Sequence, residues 1–270
     1  MTTFHSGAAS DRVTHQADGE LRIPRQSPPV PTLELASPRP LRNNLLASLP
    51  SRELALLGPS LEHVQLEIRD VLFEAETPIL HVYFPETAVV SLVSEFREGG
   101  TIEVGTAGCE GMAGLPVFLG EDRASVRAFI QIPGTALRME TDRFARLAGV
   151  PGPFHQMMLR YTLAFLTQVA QTAACNGAHL VDQRCARWLL MTHDRVEGDE
   201  MSLTHEFLAA MLGVRRAGVT LAMRSLQDAK LVSYTRGRVV ITDRAGLERA
   251  SCECYRTVRA HSERLLGRAS

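Results

Sequence analysis

The stretch "LTHEFLAAMLGVRRAGVTLAM" at 203–223 leaves few folds open to the chain that carries it. Leu203, Phe207, Leu208, Met211 and Leu212 recur at spacings of three and four, which is one apolar face of a helix. Thr204 stands where a side chain can cap that helix, and Gly213 can supply the positive φ of a tight stop. Val214, Val219, Ala222, Met223 and Leu226 then restart a helical period, with Arg215, Arg216, Thr220 and Arg224 left outside it. Two short helices meeting at one glycine form the helix-turn-helix pattern, whose second helix enters the major groove of DNA.

That spacing alone also fits an ordinary helical hairpin with a solvated basic face. The residues that follow decide between the two. In "VSYTRGRVVITD" at 232–243, Val232, Tyr234, Val239 and Ile241 alternate around a "TRGR" turn, the pattern of a β-hairpin. A hairpin tipped by Arg236 and Arg238 after the second helix reads as a wing that adds phosphate contacts. Arg216 and Thr220 are the candidate base readers, and Thr204, His205, Arg215, Arg224, Arg236 and Arg238 the candidate phosphate contacts.

Charge divides accordingly. Residues 201–270 hold 12 Lys and Arg against 6 Asp and Glu, whereas the rest holds 17 against 24. Such asymmetry is expected if only the C-terminal part meets phosphate. Lys230 is the sole lysine among 29 basic residues, a bias that points to a high-GC bacterial genome.

The remainder reads as a separate unit, since 270 residues exceed one compact core. Residues 1–40, with "IPRQSPPVPTLELASPRP", have the composition of a flexible arm. A helical entry begins near 42, and "HVQLEI", "VLFEA", "HVYFPETAVVSLVSEF", "TIEVGT", "RAFIQI" and "TALRME" then alternate between turns as strands of an antiparallel β roll. The expected domains are this roll over 41–150, a long helix over 151–177, and a winged helix-turn-helix with a C-terminal helix over 178–270, an α+β architecture. The long helix is expected from Pro153 to Cys175, ending at "NG" 176–177. Leu159, Leu163, Leu166, Ala170 and Ala173 mark a near-heptad stripe along it, suited to pairing with a second copy; burial against the roll is the alternative.

With roll, long helix and winged helix in that order, the chain resembles the CRP/FNR family of bacterial transcription regulators across residues 42–250. Thr204, Gly213, Arg216 and Val219 fall on family positions, preceded by "DQRCARWLLMTHDR". The resemblance implies a homodimeric, sequence-specific regulator on a palindromic operator. Double-stranded DNA, a second copy, RNA polymerase and a small-molecule effector are its implied partners. It also implies that Arg216 contacts guanine, a pairing worth about 1–3 kcal/mol of discrimination. Where family members place a glutamate and a second arginine on the recognition helix, this chain has Ala217 and Leu221. Its operator is therefore expected to differ from the usual one.

The candidate effector pocket is Gly111, Met112, Arg123 and Ser125 in "EGMAGLPVFLGEDRASVRA". Met112 stands where cyclic-nucleotide members carry a glutamate, and "RAS" departs from their Arg-Ser/Thr-Ala order. This argues against a cyclic nucleotide, and no cofactor is expected. The five cysteines, Cys109, Cys175, Cys185, Cys252 and Cys254, lack paired CxxC motifs, so neither disulfides nor a zinc site is expected. If 244–266 is one helix, Cys252 and Cys254 point to different sides as packing residues.

A cupin-like metal enzyme is the rival reading of a β roll. It needs clustered histidines, whereas His63 and His81 are isolated and no catalytic triad or P-loop is visible, so no enzyme is expected. A ligand-independent structural DNA-binding protein is the other rival. With no apolar run of membrane length and no signal-peptide pattern, no membrane partner is expected and the cytoplasm is the expected location.

Overall fold

The β-branched runs between turns become strands in the computed structural model, which describes residues 41–267. The arm expected over 1–40 lies outside the described residues. Two short helices, α1 (Asn44–Ala47) and α2 (Ser51–Leu57), lead into the roll. Its strands are β1 (Glu62–Leu66), β2 (Val71–Phe73), β3 (His81–Pro85), β4 (Val89–Glu95), β5 (Thr101–Ala107), β6 (Arg127–Ile132) and β7 (Gly134–Glu140), with α3 (Leu115–Phe118) between β5 and β6. They pair antiparallel in two sheets, ordered β1-β7-β3 and β2-β6-β4-β5.

The second sheet is buried on both faces for a physical reason. Val90, Ala128 and Ile130 point into the roll, whereas Val93 and Phe129 belong to the core of the C-terminal domain. A sheet covered on both sides shows no face to water, so the polar residues it keeps, Ser91, Glu103 and Gln131, must find partners inside the protein.

Helix α4 (Thr141–Ala148) is followed by the 26-residue α5 (Pro153–Ala178). Proline suits its first turn, where the missing N–H has no partner to lose. The expected stop at Asn176–Gly177 is corrected: the helix runs through both to a C-cap at His179, whose N–H reaches the Cys175 carbonyl at 3.1 Å. Asn176 is held there by the Arg184 guanidinium at 2.7 Å, and tertiary contacts outweigh a local turn preference. Among the described residues no helix is long and apolar enough to cross a membrane.

The C-terminal domain runs α6 (Val181–His193), β8 (Glu200–Ser202), α7 (His205–Leu212), α8 (Arg216–Asp228), β9 (Val232–Thr235), β10 (Arg238–Ile241), α9 (Arg244–Ala250) and α10 (Cys254–Leu266), with the sheet ordered β8-β10-β9. The single helix expected over 244–266 is thus two. Ser251 turns extended (φ −73, ψ 159) after α9, and Cys252 and Glu253 lie between the helices.

A closed hydrogen-bond ring joins roll and C-terminal domain. The Ser91 hydroxyl lies 2.6 Å from Glu103 Oε2 and 2.7 Å from Gln131 Oε1. Gln131 Nε2 donates to Thr192 Oγ1 at 3.0 Å, Thr192 donates to the Trp188 carbonyl at 3.1 Å, and Trp188 Nε1 donates to Glu103 Oε1 at 2.8 Å. Ser91 has one proton and two acceptors. Once Glu103 is protonated its own O–H supplies the missing donor and every member is satisfied. Burial pushes the Glu103 carboxyl up to about 7, against the hydrogen bonds from Ser91 and Trp188 and the charges of Arg195 and Arg187.

Candidate nucleic-acid interface

Helix α7 starts where the sequence placed it. Thr204 is extended, and its hydroxyl accepts the Phe207 N–H at 3.1 Å, satisfying one of the free donors of the first turn. The helix stops at Gly213, whose φ of 61 is left-handed. A side chain there would also come 2.7 Å from Ile102 Cδ1 on β5, so the position needs glycine twice over. Leu203, Leu208, Met211, Leu212, Val219, Ala222, Met223 and Leu226 are all buried.

What remains outside is the candidate reading face. Arg216 is the first residue of α8, and Arg215 before it is an extended cap rather than a helical residue. The two therefore differ in backbone state as well as in direction. Arg216, Ala217, Thr220 and Leu221 line one open depression, and Leu221 is 69% exposed. Arg216 Nε stands 3.8 Å from Glu206, and Arg224 Nε 3.9 Å from Asp228, both in open solvent where such pairs are weak. The Thr220 hydroxyl is engaged, donating to the Arg216 carbonyl at 3.1 Å with His205 Nδ1 also 3.1 Å away. His205 stacks on Tyr234 with ring centres 4.2 Å apart, and its buried Nε2 has no partner among the described residues. Burial, then the nearby Arg216 charge, lowers its pKa.

The wing is a two-residue hairpin. Thr235 pairs with Arg238, leaving Arg236 (φ 49) and Gly237 (φ 83) as its central residues, the backbone of a type I′ turn. An arginine at positive φ is strained, by about 1 kcal/mol. Arg238 Nη2 is paired with Glu200 at 2.6 Å on the far strand of this sheet. Among the described residues, no carboxylate lies within ion-pair distance of Arg215 or Arg236.

The α5 stripe faces outward. Leu159 is 45%, Leu163 50% and Leu166 61% exposed, and Ala170 and Ala173 are exposed too, while Met157, Met158, Tyr161, Ala164 and Gln168 on the other side are buried. The roll covers one side of α5 only.

The four residues proposed for an effector do not converge. Gly111 and Met112 are buried against Tyr161, whose hydroxyl donates to the Met112 carbonyl at 2.7 Å. Arg123 is exposed, donates to the Glu76 carbonyl at 2.7 Å and lies 3.7 Å from Asp122; Ser125 is also exposed. The reason is the chain's path, which turns Arg123 onto the neighbouring 76–78 segment. A cleft of about 820 Å³ lies elsewhere, between α5 and α10, lined by Tyr161, Arg195, Arg259 and Glu263.

The cysteines at 252 and 254 depart from the sequence expectation. Cys252, in the link between α9 and α10, and Cys254, the first residue of α10, meet Cys175 and His179 at the end of α5, where one continuous helix would turn them to different sides. Two cysteines 77 positions apart leave no spacing motif to find.

Residues 183–250 match the Crp-like helix-turn-helix domain. No curated protein sequence matches the chain. Several solved structures share its fold. A chain described as a transcriptional regulator of the Crp/Fnr family from Eubacterium rectale is 17% identical with a TM-score of 0.61, covering 76% of this chain and 96% of its own length. FixK2 from Bradyrhizobium japonicum is 15% identical with a TM-score of 0.62, covering 71% and 98%. The regulator CLP of Xanthomonas campestris, described as c-di-GMP responsive, is 16% identical with a TM-score of 0.56, covering 71% and 99%. Roll, long helix and helix-turn-helix thus come together in one arrangement: the chain carries a Crp-like helix-turn-helix domain on the fold of the CRP/FNR regulators.

Proposed function

We propose that this chain is a sequence-specific transcription regulator that binds a palindromic operator as a homodimer. The observation that carries the reading is the exposed face of α8, where Arg216 begins the helix next to Arg215, together with the wing arginine Arg236, which is also exposed and has no ion-pair partner among the described residues. Arg216 reads a guanine, and the engaged hydroxyl of Thr220 leaves its methyl group as the contact a thymine would meet. Arg215, Arg224 and Arg236 hold phosphate, with Thr204, His205 and Arg238 beside them. RNA polymerase is the downstream partner. The effector is a small molecule, and the cleft between α5 and α10 is a better place for it than the four residues around Met112.

Dimerisation rests on the outward stripe of α5. Three exposed leucines on one helix face bury their apolar surface when a second copy packs against them. Leu166→Glu forces a carboxylate against its symmetry mate and costs several kcal/mol of dimer stability. Sedimentation of this variant as a monomer, with loss of tight binding to a palindrome selected from random DNA, is the expected result. A dimeric Leu166→Glu would place the interface elsewhere, and a wild-type chain that selects no palindrome would end the regulator reading.

A further inference from the structure

Beyond the DNA-binding face, the end of α5 and the start of α10 enclose a cluster of soft ligands. Cys175 and Cys254 are fully buried, Cys252 is 3% exposed, and His179 is partly covered. Cys175 Sγ lies 3.5 Å from Cys252 Sγ, and Cys254 Sγ lies 3.6 Å from His179 Nδ1. All four ligand atoms fall within 4.8 Å of one another.

Those separations have a chemical meaning. A tetrahedral ion with metal–sulfur bonds of about 2.3 Å and metal–nitrogen bonds of about 2.0 Å sets its ligand atoms about 3.5–3.8 Å apart. Two of the contacts already match, and none of the other separations exceeds 4.8 Å. A disulfide between Cys175 and Cys252 would use two of the four groups and leave the orientation of Cys254 and His179 without a reason.

The surroundings suit a ligand set. His179 Nε2 lies 3.2 Å from Glu253 Oε1, which keeps the ring proton on Nε2 and leaves the Nδ1 lone pair facing the thiols. Gln171 Nε2 donates to Cys254 Sγ at 3.0 Å. Arg184 and Arg187, both buried, stand near enough for their charges to bear on Cys175, and the Nε of each has no partner among the described residues. Three thiolates around a divalent ion carry one net negative charge, which a neighbouring guanidinium offsets.

We propose that Cys175, His179, Cys252 and Cys254 form a closed Cys₃His site for a single soft divalent ion, Zn²⁺. With four protein ligands and deep burial it has no open coordination position, so it is structural rather than catalytic. On binding, the three thiols release their protons and three sulfur–metal bonds and one nitrogen–metal bond form, with no change of oxidation state. The ion would staple α10 to α5 at His179, the cap two residues before α6, and so stiffen the joint between the long helix and the reading domain.

The test uses the reduced, metal-free full-length chain titrated with Co²⁺ and then Zn²⁺. One Co²⁺ per chain is expected, with the visible bands of tetrahedral thiolate coordination and a near-ultraviolet sulfur-to-metal band, all displaced by Zn²⁺. His179→Ala should weaken binding at least tenfold. Glu253→Gln, outside the ligand set, should weaken it by about 10–100-fold with the fold intact by circular dichroism. Cys109→Ser, remote from the cluster, should leave it unchanged, and Cys175→Ser should remove the sulfur-to-metal band. Should Cys175→Ser fail to fold, Glu253→Gln still decides. A folded, reduced chain that takes up no Co²⁺, a cobalt spectrum that survives in Cys175→Ser, or an unchanged affinity in Glu253→Gln overturns the proposal. So does a thiol count two short of the five cysteines in chain denatured without reductant, which marks a Cys175–Cys252 disulfide.

Discussion

The outer face of α8 and the ring that joins the roll to α6 are both polar, and they are built in opposite ways. On α8 the polar groups hang in solvent in weak pairs, Arg216 with Glu206 and Arg224 with Asp228, each replaceable at little cost to the fold. In the ring, Ser91, Glu103, Gln131, Trp188 and Thr192 come from two domains, all are buried, and each depends on its neighbour for a partner. Exposed polar groups are free to meet a partner. Buried ones hold an arrangement and make it sensitive to protonation.

That contrast is broken most forcefully by removing the titrating group. A buried carboxyl raised to about 7 is protonated in the folded chain and ionised in the unfolded one at intermediate pH. Stability contributed by the neutral ring is therefore full below about pH 4.5 and is lost as pH rises towards 7. Glu103→Gln replaces the O–H donor with an amide that does not titrate. Relative to wild type it should gain about 1.4 kcal/mol per pH unit between about 5 and 7, reaching on the order of 3 kcal/mol at pH 8. Denaturant unfolding across that range checks it. A difference that does not change with pH would mean that Glu103 is ionised throughout and the ring is not neutral.

A smaller effect sharpens the other side. Arg216 and Arg215 adjoin, yet one is helical and the other an extended cap, so their roles should separate. Arg216→Ala should lose about 1–3 kcal/mol on the selected palindrome at one base pair per half-site and little on scrambled DNA. Arg215→Ala should weaken both DNAs alike and lower the salt slope of log K by about 0.9 per contact. Both should unfold like wild type. Equal losses on both DNAs for Arg216→Ala would reduce it to a phosphate grip.

The same contrast explains what the sequence made legible. Thr204, Gly213 and the alternation of Val232, Tyr234, Val239 and Ile241 are local signals, and the caps, the left-handed stop and the hairpin register follow from residues a few positions apart. The strand runs were equally local. The ring and the thiol cluster were not, because Ser91 meets Thr192 through Gln131, and Cys175 meets Cys252, across several intervening helices and strands whose own periodicity says nothing of the pairing. The continuation of α5 past Asn176–Gly177 belongs with them, since what overrides the glycine there is the Arg184 bond and the packing of Cys175. The grouping of Met112 with Arg123 came from a family motif rather than from a local signal, and the two part here: Met112 is buried against Tyr161, whereas Arg123 is exposed on the Glu76 carbonyl.

The smallest effect lies at the wing tip, where surface function and backbone strain meet. Arg236 adopts φ 49 in a turn that favours Asn before Gly, and no buried contact holds it there. With no packing to account for it, the strain points to the side chain, a guanidinium without an ion-pair partner among the described residues, unlike its neighbour Arg238 beside Glu200. Arg236→Asn relieves the strain and should raise stability by about 0.5–1 kcal/mol while leaving the hairpin register alone. It should also weaken binding to every DNA sequence and flatten the salt slope by about 0.9 per subunit, roughly 1.8 for a dimer. Arg238→Ala, which removes a charge already paired, should flatten the slope less. A more stable Arg236→Asn that binds DNA with an unchanged salt slope would show that the wing tip never reaches phosphate, and the strain at Arg236 would then need a partner other than DNA to account for it.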